Sequence, residues 1–211
     1  MNIYEKYPMM RPYAGRNFSS INTPSLLLIG ESHYFPKDSS NHVEPQIWYS
    51  GIAEQLNEKE TKWISTSDII EKSREKGFKN RSHSVWQKPF KIINEYGPNY
   101  SDFVQVADDI AFYNFFLRPA KEGKSLKVTP QDVSIANNTL LKNYQRLNPT
   151  CIIFLSKLAY KYFNVENSID IPVKATPHPG CSWWNRKAKN MGIREDKIFL
   201  GILFNLLNGK H

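Results

Sequence analysis

Reactive side chains stand at the ends of several short apolar runs in this sequence. Glu31, Ser32 and His33 follow the run "SLLLIG", and Asn114 is the one polar side chain in "IAFYNFF". His178 lies between two prolines in "TPHPG". A carboxylate, a hydroxyl and an imidazole can transfer protons or orient a water molecule. Flanking prolines restrict the backbone at His178, so its imidazole is suited to stabilise an anion that develops during a reaction.

Each of these residues also has a structural interpretation. Glu31 can cap the segment that follows its strand, and a histidine at a strand end, such as His178, is often structural. A buried amide must be hydrogen-bonded, so Asn114 either anchors a neighbouring loop or uses its donor and acceptor to read a nucleobase edge. Gly30 permits either a close backbone approach or a positive φ.

The sequence lacks the motifs of several common enzyme classes. It contains no Gly-x-Ser-x-Gly nucleophile elbow, no phosphate-binding P-loop and no Gly-x-Gly-x-x-Gly. No second histidine or cysteine stands at ligand spacing around His178. We therefore predict neither a metal ion nor another cofactor.

The charge balance favours a polyanionic partner. Lys and Arg number 28 against 20 Asp and Glu, which gives a formal net charge of +8. Nucleic acid is the partner that such a balance most often indicates, although many basic proteins bind none. The hydrophobic fraction of 40% predicts a globular chain, and 211 residues suit one domain with a sizeable core.

Cysteine usage and hydropathy predict a cytoplasmic protein. Two cysteines are too few for a disulfide framework or a four-thiolate metal site. The N-terminal sequence lacks the apolar core of a signal peptide, and "IFLGILFNLL" is too short to cross a bilayer. We therefore expect no membrane association.

Apolar runs predict the strands of a parallel sheet. They cover residues 25–32, 109–116 and 150–156, with a weaker fourth at 171–178, and they are near-continuous rather than alternating. A helix is predicted between Thr129 and Pro149, and short helices after Ser156 and in the second half of 185–207. The expected fold is an α/β three-layer α/β/α sandwich with a short, about four-stranded, parallel central sheet. Ligands of such folds bind at the carboxyl ends of the strands.

The segment between about residues 38 and 100 differs from the rest because it is polar, aromatic and without clear periodicity. Within it, residues 72–91 carry seven Lys and Arg against one Glu. This part is either a solvated surface insertion or a flank that contacts phosphates, with Phe78, Trp86 and Phe90 available for base stacking.

Taken in order, the motifs resemble those of the uracil-DNA glycosylase superfamily. "GESHY" stands at the first motif, and "QKPFKIIN" is similar to the segment that carries the base-stacking Phe. "YNFFLRPA" is similar to a strand end that carries a base-reading Asn, and "LNPTCIIFLSKLAYKYF" to a strand–helix unit. "HPG" occupies the place of a His-Pro-Ser loop. The resemblance covers roughly residues 25–205 of a single domain spanning 1–211, with an insertion at about 38–85.

The resemblance implies a pocket for a base flipped out of DNA. Asn114 would read the Watson–Crick edge of that base, and Phe90 would stack on it. His178 would donate a hydrogen bond to the base carbonyl, and Tyr34 matches a tyrosine that closes the pocket against a 5-methyl group. Gly30 belongs to the first motif of this pocket.

The resemblance also assigns the water-orienting and DNA-contacting groups. Glu31 or Ser32, with His33, would orient the attacking water; Ser32 and His33 replace an aspartate and a proline of related motifs. The loop after His178 would enter the duplex. Its Trp183 and Trp184 form either a wedge that replaces the flipped base or a small satellite core. The side chains expected to contact phosphates are Arg118, Arg186 and Lys187.

These assignments leave three functions open. The first is a DNA N-glycosylase that removes a deaminated base of the uracil or hypoxanthine type in base excision repair. The second is a catalytically inactive DNA-binding or interaction module on the same fold, and the third is a small-molecule hydrolase. Two cysteines exclude the four-cysteine iron–sulfur cluster found in one branch of the superfamily. We expect a monomer with DNA as its partner.

Overall fold

A five-stranded sheet forms the centre of the fold in this computed structural model. The strands are β1 (Tyr13–Ala14), β2 (Leu26–Phe35), β3 (Ile110–Lys121), β4 (Cys151–Phe154) and β5 (Val173–Ala175). Their order is β1-β3-β2-β4-β5; β1 pairs antiparallel with β3 and the other pairs are parallel. The structure describes residues 2–20, 25–39, 44–80, 83–96, 100–181 and 184.

The four predicted strands are confirmed, and the sheet has five strands instead of four. The additional strand, β1, contains only two residues, so no apolar run marks it. The ladder between β2 and β3 is irregular near its end, because Ser32 lies opposite Phe116 whereas Tyr34 lies opposite Ala120. This bulge gives the end of β3 extra residues in the ladder.

Seven α-helices surround the sheet within the described residues: α1 (Ile3–Lys6), α2 (Pro45–Ser50), α3 (Glu58–Ile64), α4 (Thr66–Glu75), α5 (Ser84–Tyr96), α6 (Pro130–Leu147) and α7 (Lys157–Lys161). As predicted, Thr129 caps α6 and Pro130 is its first residue. Ser156 caps α7 by accepting a hydrogen bond from the Ala159 N–H. None of the described helices combines the length and apolar character needed to cross a membrane.

Apolar side chains pack on both faces of the sheet. Successive residues of a strand point to opposite faces, so Leu27 and Ile29 enter one core while Leu26 and Leu28 enter the other. Helix α6 covers the first core through Ala136 and Leu140. The fold is therefore α/β, and its two cores fit the predicted three-layer α/β/α sandwich.

The described part of the segment 44–96 is helical, which differs from the irregular structure that we predicted for it. It contains α2 to α5, and its side chains enter both cores. Trp48 and Ile64 pack in the first core, whereas Ile70 and Phe78 pack in the second. Helices α2 to α4 each place only one or two large apolar side chains in the cores, whereas α5 places Trp86, Phe90 and Ile93 in the second core at helical spacing.

A buried ion pair joins the end of β3 to the first turn of α6. Arg118 donates through Nε to Asp132 Oδ1 at 2.8 Å and through Nη2 to Oδ2 at 2.7 Å. The Tyr49 hydroxyl of α2 donates to Oδ1 at 2.7 Å, and the Thr129 N–H donates to Oδ2 at 2.8 Å. Burial acts to raise the pKa of Asp132, but these hydrogen bonds outweigh it, so the pKa lies below its ordinary value.

This pairing changes the interpretation of Arg118. The residue is 5% exposed, and its guanidinium also donates to the Lys127 carbonyl oxygen at 2.7 Å. We expected Arg118 to contact phosphate beyond the strand end. Instead, the bulged end of β3 turns the side chain inward, where its charge is matched by Asp132.

Removing the arginine should destabilise the protein strongly. We expect Arg118→Met to lower the free energy of unfolding by about 3–5 kcal/mol, because it leaves the Asp132 carboxylate buried and unpaired. Arg118→Lys should cost less but still be measurable, since an ammonium cannot make the two parallel bonds. Urea denaturation measures both. The exposed Arg146 on α6 provides the control, and Arg146→Met should change stability by no more than about 0.5 kcal/mol. An equal effect of the two Met substitutions would contradict this role of the pair.

Candidate functional site

Gly30 and Asn114 lie side by side within β2 and β3, just beyond the level at which the neighbouring strand β4 ends opposite Ile29. They are register partners in the parallel ladder. A Cβ atom at position 30 would lie 2.2 Å from Asn114 Oδ1 and 2.9 Å from Phe112 Cζ. Gly30 is not among the residues with positive φ. Of its two predicted roles, the structure therefore supports the close approach: the amide of Asn114 occupies the space that a side chain at position 30 would fill.

Glu31 follows Gly30 and is held by the neighbouring strand end. The Ser156 hydroxyl donates to Glu31 Oε2 at 2.8 Å and accepts from the Ala159 N–H at 3.2 Å. The strand ends are also joined through the backbone, because the Leu155 N–H donates to the Ile29 carbonyl oxygen at 2.7 Å. Glu31 is only partly exposed. Ser156 thus orients the Glu31 carboxylate just beyond the end of β4.

The prolines around His178 are both buried, while His178 itself is exposed. The Gly180 N–H donates to His178 Nδ1 at 3.0 Å, and the Cys181 N–H closes a turn onto the His178 carbonyl oxygen at 2.9 Å. A backbone N–H can only donate, so Nδ1 is the acceptor and the neutral ring carries its proton on Nε2. The loop therefore presents an N–H donor whose direction is fixed.

The pKa of the His178 imidazole lies below its ordinary value. Partial burial of the ring lowers it most, the negative charge of Glu31 raises it, and the positive charge of Lys88 lowers it. Burial and the Glu31 charge together raise the pKa of Tyr34, whose ring is 41% exposed. Glu31 thus influences both His178 and Tyr34 at the same edge of the sheet.

Phe90 lies inside the second core. It is 0% exposed, and its ring meets Phe78 edge-on at a centroid distance of 5.2 Å. Helix α5 carries it toward the sheet, next to the core position of Phe112. In the described arrangement its ring packs against other side chains, whereas the resemblance assigned it to stacking on a base.

His33 and Ser32 are also buried. His33 Nε2 lies 3.2 Å from Thr66 Oγ1 at the start of α4, and burial lowers the pKa of the imidazole to about 4. His33 is therefore neutral at physiological pH and connects β2 to α4. The Ser32 hydroxyl has no hydrogen-bond partner among the described residues. A buried hydroxyl of this kind can serve a substrate or a water molecule.

The predicted DNA-contacting residues are only partly described. Trp184 is 1% exposed and packs in the second core, which is the folded-back alternative for this residue. Trp183, Arg186 and Lys187 lie outside the described residues. Arg118 faces Asp132, as shown above.

One contact of the site was not anticipated from the sequence. The Lys88 ammonium of α5 donates to the Pro179 carbonyl oxygen at 2.6 Å, next to His178. Lys88 is one of several basic residues in its segment, and its sequence context carries no signal that separates it from the others. Ser156 was identified as a helix cap and a strand end, but its bond to Glu31 was not.

Comparisons with known proteins supply no function for this chain, so the function is argued from the geometry of the site. No protein-family model matches the chain, and no curated protein matches it. Across the part of the chain that the structure describes, no three His, Cys, Asp or Glu side chains gather in a metal-binding arrangement. The functional interpretation therefore depends on Gly30, Glu31, Asn114 and His178.

The contact between Gly30 and Asn114 predicts strong coupling between the two positions. We expect Gly30→Ala to cost about 1–3 kcal/mol of stability, because the new methyl group overlaps Asn114 Oδ1. The same substitution made in an Asn114→Ala background should cost less, since the main overlap is gone. A double-mutant cycle measured by urea denaturation gives the coupling. Additive effects would contradict the proposed contact, and the exposed Asn138 provides an uncoupled partner in Asn138→Ala.

Because His33 is buried, we expect the free energy of unfolding to fall at acidic pH. Its pKa falls from 6.5 to about 4 on folding, so the unfolded chain takes up a proton between these values while the folded protein does not. The contribution of His33 to stability is complete above pH 6.5 and is lost as the pH falls toward 4, by about 3 kcal/mol at most.

The variant His33→Gln separates this contribution from other titrations. Its amide keeps a polar contact with Thr66 but does not titrate, so the loss of stability between pH 6.5 and 4 should be smaller than in the wild-type protein. Thr66→Ser keeps the imidazole and its partner, and should retain the wild-type slope. Unfolding free energies measured across this range are the test. An unchanged slope in His33→Gln would show that other groups cause the acid effect.

Proposed function

We propose that this protein is a DNA glycosylase that hydrolyses the N-glycosidic bond of a deaminated base, of the uracil or hypoxanthine type. It would be a divergent relative of the uracil-DNA glycosylase superfamily, acting in base excision repair. One observation supports the proposal: the Asn114 amide fills the space beside Gly30, Glu31 follows Gly30 and is held by Ser156, and His178 lies near enough to feel the charge of Glu31.

Recognition would use the amide of Asn114. Its side chain is 8% exposed and lies across Gly30, so its direction is restricted before any base arrives. A carboxamide can donate to one atom and accept from the next, which matches the adjacent carbonyl and N–H of a uracil or hypoxanthine edge. A flipped base is read through this edge.

Catalysis would stabilise the leaving base. As the bond from C1′ to the base nitrogen breaks, its electron pair moves onto the base, and negative charge grows on a base carbonyl oxygen. The neutral imidazole of His178 donates to that oxygen through Nε2–H, and its direction is fixed by the Gly180 N–H at Nδ1. A donor oriented in advance stabilises developing charge without reorganisation.

Water completes the reaction. Its oxygen forms the new bond to C1′ while one of its protons passes to the Glu31 carboxylate, which acts as the general base. Ser156 holds one oxygen of this carboxylate. The buried Ser32 hydroxyl, on the opposite face of β2 from Glu31, is the alternative group that can orient the water. His33, tied to Thr66, supports β2 in this scheme and does not contact the substrate.

The proposal extends to the setting of the reaction. DNA is the partner that a formal net charge of +8 favours. We assign the protein to the cytoplasm and propose that it acts as a monomer. Tyr34, exposed beside Glu31, is placed to contact the substituent at position 5 of a pyrimidine.

A non-catalytic DNA-binding or interaction module is the second candidate. The complete burial of Phe90 favours it, because a ring packed in the core cannot stack on a base without rearrangement. The inward orientation of Arg118 also removes one expected phosphate contact. This candidate predicts DNA binding or protein binding without bond cleavage.

Base excision on defined oligonucleotides tests the two candidates. We expect abasic sites, revealed by alkaline cleavage, on single- or double-stranded substrates that contain uracil, hypoxanthine or xanthine. Asn114→Ala and His178→Ala should each lower the single-turnover rate by about 10²–10³-fold, because each removes an oriented polar group from the site. The matched control is Asn138→Ala, on the exposed face of α6, which should leave the rate unchanged.

Other results would support a different function for the protein. Salt-dependent DNA binding without abasic product from any substrate would favour the non-catalytic module. Absence of both would point to the small-molecule hydrolase. The pH profile gives a further check: a neutral His178 donor predicts that the rate persists above pH 7 and falls on acidification as the imidazole becomes protonated.

A further inference from the structure

Helix α5 contacts the histidine loop at two points, one helical turn apart. Lys88 Nζ donates to the Pro179 carbonyl oxygen at 2.6 Å. Ser84 lies four residues earlier on the same helix face, and its Oγ is 3.3 Å from where a Cβ of Gly180 would be. The Lys88 bond is made to the peptide unit that joins Pro179 to Gly180, and Ser84 lies near the Gly180 end of that unit.

This peptide unit also holds the imidazole. Its carbonyl oxygen accepts from the Lys88 ammonium, and its N–H donates to His178 Nδ1 at 3.0 Å. A peptide unit is planar, with the carbonyl and N–H pointing in opposite directions, so fixing one end fixes the other. A positive charge at the oxygen also polarises the N–H, since hydrogen bonds in series strengthen one another.

Two further observations indicate that the contact is specific. The Lys88 ammonium lies 6.0 Å from the ring centroid of Trp184, which belongs to the same loop and is buried in the second core. A side chain at Gly180 would meet the His178 ring at 2.9 Å, so only glycine leaves room for the imidazole in this position. The contacts of Lys88, Gly180 and Trp184 therefore restrict the conformation of the loop around His178.

We propose that Lys88 is a positioning residue that sets the orientation and tautomer of His178 through the Pro179–Gly180 peptide. Lys88 touches neither the imidazole nor the substrate in this role; it acts through the peptide. The catalytic meaning of the role depends on the proposed glycosylase function, whereas the effect on the imidazole does not. Among the described residues, the charged groups that act on His178 are Glu31 from β2 and Lys88 from α5.

Nitrogen-15 NMR of the His178 ring in the full-length protein tests the proposal without any substrate. In Lys88→Met we expect the pKa of His178 to rise, because a positive charge that lowers it has gone. The two ring nitrogens should also lose part of their chemical-shift difference, because the Nε2–H tautomer is less strongly favoured. Lys88→Gln keeps a donor for the Pro179 oxygen but no charge, so it should retain the tautomer while the pKa rises. Lys88→Arg should retain both properties.

Lys91 offers a matched control on the same helix. It is exposed, and its ammonium lies 5.4 Å from the ring centroid of Phe103 instead of near the histidine loop. Lys91→Met makes the same chemical change and should leave the His178 resonances and pKa unchanged. Wild-type behaviour in both Lys88→Met and Lys88→Gln overturns the proposal, as does an equal change in Lys91→Met. If Lys88→Met does not fold, Lys88→Gln and Lys88→Arg still give the comparison.

Kinetics then separates this proposal from the glycosylase function. With saturating enzyme, Lys88→Met should lower the single-turnover excision rate by about 10–100-fold, and Lys88→Arg should restore most of it. Because all of the DNA is bound at saturating enzyme, a change in DNA affinity does not alter this rate. Altered His178 resonances together with no excision by the wild-type protein would reject the glycosylase and keep the positioning role. Excision with unaltered resonances would reject the positioning role alone.

Discussion

The buried ion pair between Arg118 and Asp132 is the constraint on which the arrangement around β3 depends. It fixes the end of β3 to the first turn of α6, and the Tyr49 hydroxyl adds α2 to the same carboxylate. Burying either charge without the other is energetically costly. Strand β3, helix α6 and the segment 44–96 must therefore assemble together. Asn114 lies on the same strand as Arg118.

Sequence patterns predicted the regular elements where local physics dominates. Continuous apolar runs identified the central strands because both of their faces are covered, and Thr129 with Pro130 identified the start of α6 because capping is a local hydrogen-bond requirement. Strand β1 has two residues and exists only through its pairing with β3. Helix α2 is held by residues such as Trp48, whose indole N–H donates to the carbonyl oxygen of Leu117, far along the chain.

The sequence predicted that Gly30, Glu31 and Asn114 follow or end their strands, whereas β2 and β3 continue past all three. Their pairing in register follows from the ladder between β2 and β3, which no local pattern shows. The bonds from Ser156 to Glu31 and from Lys88 to Pro179 join residues far apart in the chain, and no local pattern encodes them. The role of Phe90 could not be read from the sequence, because an aromatic ring can pack in a core or form a stacking surface. The tertiary fold places it in the core.

The topology of the sheet has a consequence for synthesis on the ribosome. Strand β2 has β3 and β4 as its neighbours, and both follow it in the chain, β3 only after the entire helical segment 44–96. The nascent chain therefore carries an apolar strand with two unpaired edges until that segment has been made. Closing so long a loop is entropically costly, and exposed strand edges favour aggregation. Compaction of the intervening helices shortens the distance that β3 must span, so the helical segment assists the formation of the sheet as well as its packing.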